Sequence, residues 1–106
     1  MIGWTCQTPD PDLAVYAPLH SSKAGSGGNY SFFKNDAVDK LIMDGRVMKN
    51  SAEREAVYKE IQKVVKEQAP WVFLSNGEQV VGASKNVKGF TPSPFGYHVL
   101  YNVKFE

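Results

Sequence analysis

Asp10 and Asp12 flank Pro11 and are the nearest approach in this chain to the paired carboxylates of acid–base catalysis. Their setting accounts for them without chemistry. Asp10 is expected to cap a helix whose first position is Pro11, where a missing N–H costs nothing, and Asp12 suits the electropositive first turn. Cys6 with His20 or His98 would supply a thiol nucleophile and a base. No spacing rule links them and no third orienting group follows, so Cys6 reads as a small buried structural residue. Two histidines cannot by themselves close a zinc site, and a single cysteine excludes an internal disulfide or a multi-cysteine metal site. Gly25-Ser26-Gly27-Gly28 invites a phosphate-loop reading, but it lacks the Gly-Lys-Ser/Thr ending and a preceding strand, which leaves a flexible loop. Tyr30, Phe32 and Phe33 have the composition of a base-stacking platform. Without a clustered basic groove they read as core or cleft aromatics. No catalytic residue, metal ligand or cofactor is expected, and the chain does not read as an enzyme.

The elements that must position these residues come from a chain of 106 residues, enough for one modest domain. With 42% hydrophobic and 22% charged residues it reads as soluble and globular. Twelve basic against eleven acidic residues give a formal charge of +1, too little to draw nucleic acid or an anionic membrane. No apolar run approaches the roughly 20 residues of a membrane span. The start, Met1 to Thr8, has neither the basic nor the apolar region of an export signal. A protein working outside the cytoplasm is therefore expected to carry its signal upstream.

The dominant element is a helix opening at Asn50 and closing at Pro70. Asn50 and Glu53 have capping-box spacing, and Val57, Ile61, Val64 and Val65 fall on one apolar stripe. Glu55 with Lys59 and Lys63 with Glu67 pair on the other face. Pro70 ends the helix, and Trp71–Leu74 follows as an expected buried strand. Ahead of it, Ile2–Cys6 reads as a strand end, Leu13–Tyr16 as a short helix stopped by Pro18, and Ser21–Asn29 as a loop. A helix from Asn35 or Asp36 sets Val38, Leu41, Ile42 and Gly45 on one face. Gly45 inside it costs about 1 kcal/mol relative to Ala, which points to close packing there. Beyond Asn76-Gly77, Gln79–Ala83 reads as a strand, Lys85–Gly89 as a turn and Leu100–Phe105 as a closing strand. The class is α/β, or α+β for an isolated piece.

The order of segments says more than any one of them. Gly3-Trp4-Thr5, Pro9-Asp10-Pro11-Asp12, Gly28-Asn29-Tyr30-Ser31-Phe32 and Val38-Asp39-Lys40-Leu41 come first. Arg54 with Tyr58-Lys59 and Ile61-Gln62, Ala69-Pro70-Trp71, Asn86-Val87-Lys88-Gly89-Phe90 and Pro94-Phe95-Gly96-Tyr97-His98 complete the series. Over essentially its whole length the chain resembles the C-terminal portion of extracytoplasmic solute-binding proteins serving dipeptide, oligopeptide and glutathione ABC importers. The resemblance implies a C-terminal fragment of a two-lobed periplasmic-binding-protein fold. Residues 1–78 would end the second, ligand-binding lobe, the chain would cross near Asn76–Gln79, and residues 79–106 would return to the first lobe.

In such proteins the segment beginning at Gly-Trp pairs its backbone with an extended peptide, and an Asp three residues after the Trp meets the ligand ammonium. Carried over, Gly3, Trp4, Thr5, Cys6 and Gln7 would line the ligand, with Asn29 and Tyr30 bordering the cleft. The Asp position falls on Gln7, which can accept a hydrogen bond from an ammonium but cannot neutralise it. The implied partners are a peptide-like solute, a membrane permease and the remainder of the polypeptide. No nucleic acid is among them, and the place is the periplasm or the outer face of the membrane. A piece cut from its lobes is expected to expose unpaired strand edge and to self-associate. Two rival classes stand beside this one: a stand-alone interaction or structural module with no cleft of its own, and a small thiol enzyme built on Cys6, which would require a depressed thiol pKa.

Overall fold

The computed structural model describes residues 2–25 and 27–106; Met1 and Ser26, the latter within the glycine-rich stretch, lie outside the described residues. Two compact units divide the chain, one over Met1–Phe73 and one over Leu74–Glu106. Within the first, three α-helices are described: α1 (Asp12–Leu19), α2 (Asp36–Val47) and α3 (Ala52–Gln68).

Helix α3 forms where the apolar stripe places it, with Ile61 and Val65 buried and Val57 and Val64 packed against the core. The same face also carries Arg54 and Tyr58, whose polar ends sit among the buried side chains. Its cap is Ser51, one residue later than expected at Asn50. The Ser51 backbone is extended and its hydroxyl accepts from the Arg54 N–H at 3.3 Å, which moves Glu53 off the position a capping box requires. Glu55 and Lys59 pair at 2.6 Å; Lys63 and Glu67 form no ion pair among the described residues. The helix ends before Pro70 as expected, with Ala69 left-handed at φ 44°.

Helix α2 starts as its sequence requires: the Asn35 side chain accepts from Ala37 and Val38 N–H groups at 3.0 and 3.1 Å. Val38 and Ile42 are fully buried, and Gly45 lies against the Tyr58 ring of α3. Helix α1 differs from expectation at both ends. Pro11 holds the cap position without a side-chain bond, while Asp10 Oδ1 accepts from the Asp12 N–H at 2.9 Å, so Asp10 still satisfies a first-turn donor. Pro18 lies inside the helix and does not stop it. It removes one bond from the last turn, Leu19 is buried in the core, and the His20 N–H closes on Tyr16 O at 3.0 Å. The core of this unit is Val15, Leu19, Val38, Ile42, Tyr58, Ile61 and Val65, with Phe33 and Trp71 packed against it.

In the second unit β1 (Val87–Lys88) pairs antiparallel with β2 (Lys104–Phe105), Val87 opposite Phe105 and Lys88 opposite Lys104. Gly89 is obligatory in the turn beside it: at φ 75° a β-carbon would meet Asn102 O at 2.1 Å. The class is thus a mixed, helix-rich piece with a two-stranded sheet. The strands expected at Ile2–Cys6, Trp71–Leu74 and Gln79–Ala83 are irregular, and of Leu100–Phe105 only the last part is a strand. The reason is physical: a strand is a property of a pair, and none of these segments meets a partner ladder among the described residues. Val72, Leu74 and Val80 are correspondingly 85%, 70% and 91% exposed instead of buried.

Candidate functional site

The segment Gly3–Gln7 runs ahead of α1 without regular structure, and all of it is exposed except the half-buried Cys6. Among the described residues, none of the backbone hydrogen bonds involves Gly3, Trp4, Thr5, Cys6 or Gln7. Its N–H and C=O groups are therefore open to an outside partner. One side chain fixes the segment: the Trp4 indole N–H donates to Leu13 O at 3.0 Å, in the first turns of α1. The far edge of the same indole lies over Gly28, where a β-carbon would approach Trp4 Cη2 to 3.0 Å and Ala17 O to 3.1 Å. Gly28 has φ 113°, so both its backbone and its bareness are needed for this contact.

Gly28 leads into the other two sequence-derived candidates. Asn29 is fully buried, and its side-chain amide is committed within the protein. The amide nitrogen donates to Phe33 O at 2.8 Å and His20 O at 3.2 Å; the amide oxygen accepts from Phe33 N–H at 3.1 Å and Ser31 hydroxyl at 3.0 Å. Asn29 is therefore the pin that ties the loop to the end of α1. Tyr30, beside it, is 51% exposed and presents its ring outward; it is not part of the core. The fold thus brings Trp4 to the loop that carries Asn29 and Tyr30, while Gly3, Thr5 and Gln7 stay on the open segment. Cys6 is only half-buried, less enclosed than a core thiol, and no histidine hydrogen-bonds to it among the described residues.

Behind the segment sits a charged anchor that periodicity alone does not reveal. Arg54 of α3 donates from one guanidinium nitrogen to Asp10 Oδ1 at 2.8 Å and to the Tyr58 hydroxyl at 3.1 Å, and from Nε to Gly45 O at 2.8 Å. The Arg54 hydrogen bond, followed by the Asp12 N–H, holds the Asp10 carboxyl below the usual carboxylate range. Asp10 in turn raises Arg54, and burial pushes the Tyr58 phenol up. The one sequence signal for this network was an arginine falling in register with an apolar stripe.

A second polar cluster joins α1 to α2. Asp39 accepts from the Ser21 N–H at 3.0 Å and from the Ser21 hydroxyl, and the Ser22 N–H donates to His20 Nδ1 at 3.1 Å. The Arg46 guanidinium covers the Tyr16 ring at 3.9 Å and reaches Asp12 Oδ1 at 3.2 Å, a charge contact without the alignment of a directed hydrogen bond. The Ser22 hydroxyl first, then the Arg46 contact, lowers the Tyr16 phenol from its ordinary value. These contacts tie α1 and the turn after it to α2. Among the described residues no cluster of metal-ligating side chains occurs, and no helix is long and apolar enough to cross a membrane.

No protein-family model matches the chain. Curated relatives do, over most or all of its length. It is 34% identical over 106 residues to heme-binding protein A of Haemophilus influenzae, covering 100% of this chain and 19% of that protein. It is 34% identical over 107 residues to the dipeptide-binding protein of Escherichia coli, covering 100% of this chain and 20% of the relative. It is 32% identical over 91 residues to a probable D,D-dipeptide-binding periplasmic protein of Escherichia coli, covering 86% of this chain and 18% of the relative. The chain thus spans about a fifth of the length of the relatives it matches, whose names are those of heme-binding and dipeptide-binding proteins, one of them periplasmic.

Proposed function

We propose that the chain is the C-terminal part of a periplasmic solute-binding protein that captures a peptide-like solute between two lobes and hands it to an ABC-importer permease. The observation that carries this is the open backbone of Gly3–Gln7 beside an anchored Trp4. Such a segment can receive an extended peptide as an added strand: main-chain hydrogen bonds supply affinity whatever the side chains, and flanking groups select among ligands. The relatives named as dipeptide-binding support the same class of solute. Gly3, Thr5, Cys6 and Gln7 are the backbone contacts in this reading, and Trp4 is the aromatic wall. Tyr30 borders the cleft, and Asn29 holds that border in place from within the core.

The mechanism is a population shift. A ligand touching both lobes gains its full set of contacts only in the closed form, so binding favours closure, and the permease meets the closed form. In this arrangement residues 1–78 close the second lobe and residues 79–106 return to the first. The apolar residues exposed between Val72 and Val81 and between Tyr97 and Phe105 are then covered by the remainder of the polypeptide. The chain acts by binding, without catalysis and without a cofactor.

The test is calorimetric titration of the full-length gene product with the dipeptide Ala-Ala, glutathione and hemin in turn. Saturable one-to-one binding of either peptide-like solute, weakened by Trp4→Ala, is the expected result. Saturation by hemin alone would replace the peptide reading with a heme-binding one, and saturation by none would overturn solute binding.

A further inference from the structure

We propose that Phe32 is a ligand-contacting residue, and that the solute it selects carries an aromatic side chain; the proposal rests on the solute-binding reading above. Phe32 has φ 56°, one of only two non-glycine residues at positive φ among the described residues. The other, Ala69, is accounted for by the end of α3. A bulky L residue is strained in this region, whereas glycine takes it freely. Strain of this kind persists where the surroundings impose it. Here Asn29 does so, accepting the Phe32 N–H on its backbone oxygen at 3.4 Å and fixing both the N–H and C=O of Phe33 with its side chain.

The ring gains little within the fold in return, because Phe32 is 66% exposed. Its edge rests on Gly25, where a β-carbon would stand 3.4 Å from Phe32 Cε1. Trp4 rests in the same way on Gly28, three residues along the same loop, and Tyr30, two residues before Phe32, is 51% exposed. Gly25 and Gly28 both hold positive φ, and the loop is closed on itself by Gly25 N–H to Asn29 O at 3.1 Å and Asn29 N–H to Lys23 O at 3.2 Å. Trp4, Tyr30 and Phe32 are thus three exposed aromatic residues on or against one loop, adjoining a segment with no backbone hydrogen bond among the described residues. Backbone contacts on Gly3–Gln7 do not distinguish one peptide side chain from another. An exposed ring held in a conformation that glycine would satisfy better is the element that can, through stacked or edge-on contact with a ligand ring.

The experiment compares the full-length gene product with its Phe32→Gly variant, titrating each with Ala-Phe and Ala-Ala and recording a melting curve. Glycine relieves the backbone strain, so the melting temperature is expected to hold or rise. Affinity for Ala-Phe is expected to fall roughly tenfold while that for Ala-Ala changes less than about twofold. Phe32→Trp is expected to keep the preference for Ala-Phe. A lower melting temperature with both dipeptides weakened alike would make Phe32 a packing residue and overturn the proposal, as would unchanged affinity for both. Failure of the wild-type protein to bind either dipeptide is a different result. It would remove the peptide-binding reading itself and this proposal with it.

Discussion

Gly45 of α2 lies so close to Tyr58 of α3 that a β-carbon on Gly45 would stand 3.1 Å from the ring Cζ and 3.2 Å from the hydroxyl oxygen. In an exposed helix interior, Gly→Ala stabilises by about 1 kcal/mol. Here the ring is 4% exposed and its hydroxyl is bonded to Arg54, so it cannot swing aside. Gly45→Ala is therefore expected to destabilise by about 1 kcal/mol net, the overpacking outweighing the propensity gain. Urea denaturation of the two proteins decides it; an upward shift of the midpoint would show that Tyr58 yields.

Arg54 and Asp10 make stability depend on acid. The Asp10 carboxyl titrates lower in the folded protein than in the unfolded chain, mainly because it accepts from Arg54. Its contribution is present above the unfolded carboxylate value, near pH 4, and is lost as pH falls through the lower folded value. Asp10→Asn removes that dependence while keeping an acceptor for Arg54. The wild-type protein is expected to be the more stable at pH 6 and to lose this margin below about pH 4, read from melting curves across that range. Parallel curves for the two proteins would mean the pair adds nothing.

Asn29→Ala is expected to cost roughly 2 kcal/mol, since it removes the side-chain partner of the part-buried Phe33 C=O and leaves the Phe33 N–H only the Ser31 hydroxyl at 3.4 Å. The loop should then loosen, and amide hydrogen exchange at Phe32 and Phe33 should accelerate ahead of global unfolding. Exchange unchanged at these two amides would show that Asn29 is not the pin.

On the proposed solute-binding reading, Gln7→Asp would place a carboxylate where the ligand ammonium is expected. In the full-length gene product, affinity for a dipeptide with a free amino terminus is expected to rise about fivefold at neutral pH, the effect of a partly exposed ion pair. An acetylated dipeptide should show no gain. No change for the free dipeptide would place Gln7 away from the ammonium.

Much of the helical unit was legible without coordinates, because its signals are local. Asn35 before Asp36, the Val38–Ile42 face and the stop ahead of Pro70 each depend on residues within a turn or two of one another. Gly45 also announced its tight contact, although not the partner. The candidate segment was located through segment order, with no stereochemical signal in Gly3–Gln7 itself. Asn29, expected from the resemblance to border the cleft, is fully buried with its amide bonded on both sides, a placement that no local spacing encodes.

By itself the sequence determined where α2 starts, where α3 stops and which apolar residues of α2 and α3 face inward. These follow from neighbours along the chain, where spacing is geometry. Tertiary structure alone decided that Arg54 reaches across to Asp10 and Gly45, that Trp4 is tied to Leu13, and that Phe32 stands exposed at positive φ. It also decided which apolar runs become strands, because a strand needs a partner's hydrogen bonds, and Val87–Lys88 found one in Lys104–Phe105 whereas Trp71–Leu74 did not. Long-range pairing depends on what the fold brings near, and no local spacing encodes it.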